Sequence, residues 1–473
     1  MGLLVTAVIA TGIVLFSCAG GGKVGSATFE SSYDVVVIGA GGAGLSAAIA
    51  AGETGASVVI FEKMSMPGGN TLRATGGINA AGTEYQRRAR INDSTDLFYE
   101  DTMRGGGNIN NPELVRILAD KSVSAITWLT GMGADLSDVG RLGGASVNRA
   151  HRPSGGAMVG PEVAETLVKR VQSIGIPLIL NAEVTAITTR GGQVTGVTLT
   201  HGGKRHTVAA QAVVLASGGF GANNDMAASF VPSLKGFATT NQPGATGSGI
   251  RMAQKAGATL VDMEQIQTHP THAPGKEMVT EGVRGNGAIL TNRAGVRFVD
   301  EMGFRDVVSA HILAQAGGSA FLVFDNSVRT SLAAIESYIR RGFVFQAATP
   351  QELAVLIGAD DGGAALAKTV AAYNQAVASG NDAEFGRTSM ARSLTVPPFY
   401  AIEVVPAIHH TMGGVKIDTE ARVLSATGNP IPGFYAAGEV AGAIHGNNRL
   451  GGNAMIDIVV FGRIAGANAA TGK

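Results

Sequence analysis

Cysteine is nearly missing from this chain: there is one, Cys18, in 473 residues. That excludes a disulfide framework, a cysteine-held iron–sulfur cluster and a haem-attachment motif. No metal is expected, and any redox chemistry must rest on a bound organic cofactor. Surplus charge is missing too. Lys and Arg together number 36, as do Asp and Glu, so no basic face invites nucleic acid. There is no repeat period and no low-complexity tract. What the chain has in plenty is glycine, 68 residues, about twice the usual share. These glycines are dispersed, which fits tight turns and close approach of backbone to a ligand. A length of 473 residues exceeds one ordinary core and suggests two domains.

Residues 1–30 read as a signal-like segment and tether. "LLVTAVIATGIVLFSCAGGGKVGS" is apolar at first, short for a membrane span, and ends in a Gly/Ser-rich stretch. "LFSC" resembles a lipobox, which would lipidate Cys18, although the usual early Lys or Arg is missing. "MGLLVT" also fits a myristoylation pattern that is short and often met by chance. The expectation is an exported, membrane-anchored lipoprotein.

"SYDVVVIGAGGAGLSAAIAAGETGASVVIFEK" predicts a strand at Tyr33–Ile38, a turn at Gly39–Gly44, a small-residue helix at Leu45–Gly52 and a strand at Ser57–Phe61. Gly39 permits the sharp turn, Gly41 lets backbone approach a pyrophosphate, and Gly44 lets helix pack on strand. The helix N-terminus offers free N–H groups to phosphates. Glu62 closes the second strand, where a carboxylate can accept both ribose hydroxyls. The ordered set of strand, glycine turn, helix, strand and acid predicts a dinucleotide site.

Further on, "NNPELVRILADKSVSAITWLTGMGA" reads as one helix with Asn111 as N-cap and Pro112 at its first position. A second helix is expected in "GPEVAETLVKRVQSIGI". From Pro177 the chain is β-rich, with Gly-Gly turns at Gly191–Gly192 and Gly202–Gly203 and a last strand at Ala212–Ala216. Such a meander is more typical of flavin-binding than of NAD-binding Rossmann domains. Between about Asp262 and His409 the composition shifts to mixed short elements, and after it a Gly-rich strand, turn and apolar helix return. This reads as one dinucleotide domain interrupted by an insert, and ligands favour such junctions.

Seven ordered motifs now stand out: "VVVIGAGGAGLSAAI", "GGNTLRATGGINA", "QTHPT", "VTEGVRGNGAILTNRAGVRFVDE", "FRD", "HHTMGGV" and "AAGEVAGAIHGNNRLGGNA". Together they resemble the soluble fumarate reductase family. This is the flavoprotein portion of periplasmic flavocytochrome c, a relative of the fumarate reductase and succinate dehydrogenase flavoprotein subunits. The resemblance runs from about Tyr33 to the C-terminus. It implies an α/β fold in which a Rossmann-like FAD-binding domain, residues 31–261 and 410–473, is interrupted by an inserted α+β clamp or capping domain, residues 262–409. Asn70 stands where covalent-flavin relatives have His, so noncovalent FAD is expected. No haem region accompanies the flavin domain, so electrons would come from a separate donor. Ser248 stands where relatives usually have Asp.

For FAD the resemblance and the fingerprint together nominate Gly39, Gly41, Gly44, Glu62, Lys63, Asn70, Thr71, Gly76, Gly77, Val184, Ala216, Ser217, Glu439 and Leu450. For fumarate and succinate it implies His269 and Thr280, beside Glu281, at one carboxylate, and His409 and Arg449 at the other, as two-ended recognition of a dicarboxylate requires. His409 is preferred over its neighbour His410. Arg305 would be the proton donor, re-protonated through Glu281 and Arg284. That role is chemically demanding, because deprotonating an isolated guanidinium at pH 7 costs about 7 kcal/mol. Glu281 beside a substrate carboxylate requires either protonation or pairing with Arg284. His445 is equally readable as structural, and His151 and Arg152 carry no assigned role. The rival readings are a reductase of another unsaturated acid (urocanate or methacrylate type), an oxidase of the aspartate type, and a flavin electron carrier without a substrate.

Overall fold

The structure, a computed structural model, describes residues 29–359 and 361–472. Cys18 and the expected signal segment lie outside the described residues, apart from Phe29 and Glu30.

The main sheet follows from short apolar runs, rich in Val and Ile, that are buried toward their carboxyl ends. Ser32–Ile38 pairs in parallel with Val58–Phe61 on one side and with Lys204–Leu215 on the other. Leu178–Ile179 and Pro430–Ala436 extend it outward, also in parallel. The register aligns Ile179, Phe61, Ile38, Leu215 and Ala436 along one edge. Glu62, Gly39, Ala216 and Ala437, the next residue of each inner strand, therefore emerge together at the carboxyl ends, where open α/β sheets bind ligands. The meander is formed by Ala182–Arg190, Gln193–His201 and the first part of Lys204–Leu215.

Two helices built largely of small residues cover this sheet. Gly42–Gly52 packs along Asn453–Thr471, so closely that a Cβ at Gly466 would strike the Ala47 carbonyl. Asn453–Thr471 is long and apolar enough to cross a membrane, but here it is largely buried as a core helix. One expectation fails in detail. The helix anticipated across residues 111–131 is two helices, Pro112–Asp120 and Ser122–Gly131, which break at Lys121. The buried Ser122 hydroxyl donates to the Ala119 carbonyl (2.7 Å) and accepts the Ala81 N–H (3.3 Å), so it competes with the helical ladder. Asn111 does cap the first of the two, accepting from Glu113 and Leu114.

A second apolar core gathers residues between Ala273 and Val404, while the first draws on Tyr33–Met263 and Ile408–Ala469. The inserted, capping part has its own sheet, in which Ala320–Asp325 pairs with Ile289–Thr291 and with the first half of Phe399–Thr411. The second half of that long strand pairs antiparallel with Ile266–His272. These two strands connect the two cores, and they carry His269 and His409.

Candidate active site

The glycine turn has the shape a dinucleotide needs. A Cβ at Gly44 would strike the Gly39 carbonyl, which is the close helix–strand contact expected of the third glycine, whereas a Cβ at Gly41 would meet nothing within 4 Å. The face above Gly41 is open, as an approaching pyrophosphate requires. Glu62 is almost fully buried and accepts the N–H groups of Ala40 (2.7 Å) and Met64 (2.8 Å). It is thereby fixed at the sheet edge, with lone pairs left for hydroxyl donors. Lys63 donates to Thr246 (3.1 Å) and Ser248 (3.4 Å), so Ser248 still meets the group it faces. Thr71 accepts the Gly42 N–H at 3.0 Å and pins the start of the helix.

Asn70 donates to Asn241 (2.5 Å) and to Glu439 (3.5 Å) and accepts from Gln242 (2.8 Å). Glu439 also accepts the Thr411 N–H (3.1 Å), and burial pushes its carboxyl up. Val184 lies two residues beyond Ala182, whose N–H reaches the Glu62 carbonyl. The Ser217 side chain is packed into Gly249, which leaves backbone at Ala216–Ser217 as what faces the edge. Gly76 and Gly77 abut Leu142 and Ala150, and Leu450 packs on Gly105 and Gly144. Gly39, Glu62 and Ala216 thus emerge at one strand-end edge beside the open Gly41, and these groups fit a bound dinucleotide.

The second cluster is built across the two cores. The histidine pair sits where the strand pairing shifts register, between the partners of Gln267 and Thr268, and its two rings face different groups. His409 faces Thr240 (Nδ1 to hydroxyl 2.6 Å) and the His269 ring, 5.0 Å between centroids. His410 turns the other way, to Glu439 and His445. On the partner strand, the Thr271 N–H donates to His269 Nδ1 (3.3 Å), which puts that ring's proton on Nε2, free to donate. Burial, then the nearby Arg305 guanidinium, pushes His269 well below the usual imidazole range. Burial lowers His409 in the same way, again with Arg305 as the next cause. Both rings are therefore neutral, and His269 presents its N–H at Nε2.

Arg305 opens the helix Arg305–Leu313, which packs on Ile266–His272. Its guanidinium donates to Glu281 Oε2 through Nε (3.0 Å) and Nη2 (2.7 Å). The expected partner of Glu281, Arg284, is 3.9 Å away. The three-residue spacing suggested a local pair, but the fold brings Arg305 closer. Burial acts to raise the Glu281 carboxyl, yet Arg305 and Arg284 together hold it at about 2. Of the two options read from sequence, an ionised and paired Glu281 is the one found. Burial lowers Arg284 to about 10 and, aided by Arg305, lowers Arg449 to about 9. Thr280 caps the short helix Glu281–Gly285 by accepting the Gly282 N–H (3.3 Å), and it donates to Thr75 across the domain junction (2.9 Å).

Sequence reasoning missed Gln267. Its side-chain oxygen accepts from both Arg305 Nη1 (3.2 Å) and Arg449 Nη2 (3.1 Å), while its amide donates to Asn448 (2.6 Å) and to the Arg449 carbonyl (2.8 Å). A signal existed: Gln267 and His269 are two apart on one strand and so share a face. Thr75, Thr240, Asn241 and Gly143 were also missed, and their partners lie too far away in sequence to announce them. His445 bonds Asp457 (3.2 Å). His151 bonds Thr83 (2.7 Å) and the Arg149 carbonyl (2.8 Å), and Arg152 pairs with Asp138 (2.9 Å). His151 and Arg152 are held by protein groups, while His445 packs on His410 beside the arginine cluster.

Residues 34–455 match the family model of the FAD binding domain. The chain is 52% identical to a fumarate reductase (cytochrome) of Shewanella frigidimarina, an alignment spanning 93% of this chain and 77% of that protein. It is 46% identical to an NADH:fumarate oxidoreductase of Klebsiella pneumoniae, over 94% of this chain and 48% of the relative. Among solved structures, the open conformation of a flavocytochrome c3 fumarate reductase matches with a TM-score of 0.80 and 43% identity, covering 93% of this chain and 78% of that one. With the strand-end cradle built to fit its cofactor, the chain belongs to the FAD-binding domain family, among the flavoproteins of the soluble fumarate reductase type.

Proposed function

We propose that this chain reduces fumarate to succinate with noncovalently bound FAD, drawing electrons from a separate donor. One observation carries the reading: three buried guanidiniums, Arg284, Arg305 and Arg449, converge where Glu281 is the one carboxylate within ion-pair distance of any of them among the described residues. A site so short of anions favours a dianion, because uncompensated buried cations are costly. A monoacid would leave donors unpaired at one end.

Gly39, Gly41, Gly44, Glu62 and Asn70 are among the residues that would hold FAD, which when reduced supplies the hydride. The protein's own part is binding and proton delivery. His409 and Arg449 take one carboxylate; His269 Nε2–H and Thr280 take the other. Pulling on both ends withdraws charge from the alkene and fixes its distance from Arg305. Arg305 then delivers the proton to the alkene carbon that receives no hydride, and Glu281, in contact with two of its nitrogens, returns one to it. Arg284 supplies the second positive charge facing Glu281. Export and anchoring through Cys18 belong to the same proposal and rest on the lipobox-like sequence; a Cys18→Ser chain leaving the membrane fraction would support them, and an unchanged distribution would oppose them. The reading as a whole is tested by a panel of unsaturated acids with a chemically reduced donor. Turnover of fumarate, lost in Arg305→Ala with FAD retained, supports it. Preference for a monoacid would sink it.

A further inference from the structure

Outside the cleft, Phe29 stands just ahead of the first strand of the main sheet. It is partly buried, and its ring meets three others edge-on: Phe61 at 5.1 Å between centroids, His206 at 5.3 Å and His201 at 6.0 Å. Phe61 ends the strand Val58–Phe61 of the main sheet, whereas the two histidines lie on neighbouring strands of the meander. Phe29 is therefore a wedge between sheet and meander. The backbone behind it is fixed: the Glu30 N–H donates to the Tyr33 hydroxyl (2.8 Å), and the Ser31 carbonyl accepts the Ala209 N–H (2.8 Å).

What the wedge braces is Glu62. Side chains alternate along a strand, so Phe61 turned toward Phe29 sets Glu62 toward the glycine turn, where its carboxylate accepts the Ala40 N–H. The Glu62 backbone is tied to the segment that leads into the meander. Its N–H donates to the Ile179 carbonyl (2.9 Å), and its carbonyl accepts the Ala182 N–H (2.9 Å). Between these two ties Asn181 turns through the left-handed region, at φ 52°, and its N–H donates to the Met64 carbonyl (3.0 Å). His201 closes the arrangement: it pairs across the strands with Ala182, and its Nδ1 donates to the Asn181 carbonyl (3.3 Å). Phe29 thus touches both the residue before Glu62 and the residue that holds the turn bonded to Glu62.

We propose that Phe29 is a positioning residue for the cofactor, bracing Glu62 so that its carboxylate stands ready for the ribose hydroxyls. The inference rests on the reading of Glu62 as the ribose acceptor. Without the ring, Phe61 and His201 lose their common contact, and the turn at Asn181 is free to shift with Glu62 attached to it. The carboxylate is then ordered only when FAD arrives, and that ordering is subtracted from affinity. The arginine cleft shares no residue with this chain of contacts, so the loaded protein keeps its catalysis.

The test is the rate at which the diluted FAD-loaded protein releases its flavin, followed by the rise in flavin fluorescence. Phe29→Ala is expected to release FAD about tenfold faster or more, and Phe29→Leu to do so by a smaller factor. With FAD in excess, kcat and KM for fumarate are expected to stay within about twofold of wild type in both. Trp128→Leu, which removes another partly buried ring from the same core, is expected to leave release unchanged. Wild-type release in both Phe29 variants would overturn the proposal. An equal acceleration by Trp128→Leu, or a matching loss of kcat with FAD in excess, would overturn it too, since either marks general loosening. Glu62→Ala, measured alongside, separates the two claims. If it speeds release while the Phe29 variants do not, the bracing role alone fails. If it leaves release unchanged, the reading of Glu62 fails and the inference with it.

Discussion

Two clusters of buried arginines lie side by side in this protein and differ in one respect. In the capping domain, Arg297 and Arg387 face Glu301 and Asp382, two cations to two anions, with Glu301 and Asp382 held by ion pairs at 2.7–2.8 Å. In the cleft, Arg284 and Arg305 face Glu281 alone at ion-pair distance and Arg449 faces no carboxylate that near among the described residues, and Arg449 Nε, Arg284 Nε and Arg284 Nη2 have no hydrogen-bond partner. Both clusters are buried arginine–carboxylate groups; their charge compensation differs. The balanced cluster is a finished piece of structure, while the unbalanced one still needs an anion. That contrast separates function from packing more sharply than any single residue does.

The comparison can be broken from either side, and the largest effect is expected at Arg305. Arg305→Ala should lower fumarate turnover by about 10⁴ or more while the flavin spectrum persists, because it removes the proposed proton donor. Glu281→Gln should cost about 10²–10³ in kcat with little change in KM, seen in steady-state kinetics; equal losses in both would reduce Glu281 to a binding contact. In the balanced cluster, Glu301→Gln should act on stability instead. It strands Arg387, whose one ion pair among the described residues is to Glu301, and should cost about 3–5 kcal/mol in denaturant unfolding, and any protein that folds should keep its KM.

The smallest expected effect is on pH dependence. His269 and His409 are lowered in the folded protein, so below the ordinary imidazole value of 6.5 the unfolded chain binds protons that the native one does not. Stability is therefore full above about pH 6.5 and falls as pH drops below it. Glu281, held at about 2 against 4.5, adds a second loss between those values. His269→Asn should make the first limb of a Tm-against-pH curve shallower, His409 and the other lowered histidines still contributing, and leave the second in place.

How much of this could be read from sequence varies with distance along the chain. The glycine turn, Glu62 and the capped helix at Asn111 were legible because each is a local device whose parts are neighbours. The members of the cleft were legible as residue types within motifs. Their pairing was not: Glu281 has Arg284 three residues away and Arg305 twenty-four, and helix spacing favours the nearer. Only the packing of helix Arg305–Leu313 on strand Ile266–His272 reverses that order. Gln267 was hidden for a different reason. A neutral amide carries no electrostatic signature in a sequence, and its importance comes from two guanidiniums that meet on one of its atoms. The break at Lys121 depended on a serine hydroxyl finding Ala81, a contact no periodicity encodes.

The central claim is that an under-compensated arginine cleft selects a dicarboxylate. Its most direct test is kcat/KM for fumarate against the matching monocarboxylate, in the FAD-loaded protein with a chemically reduced donor. The account predicts a preference for fumarate of about 10³ or more, since the monoacid leaves buried donors unpaired. Equal values, or a preference for the monoacid, would contradict it.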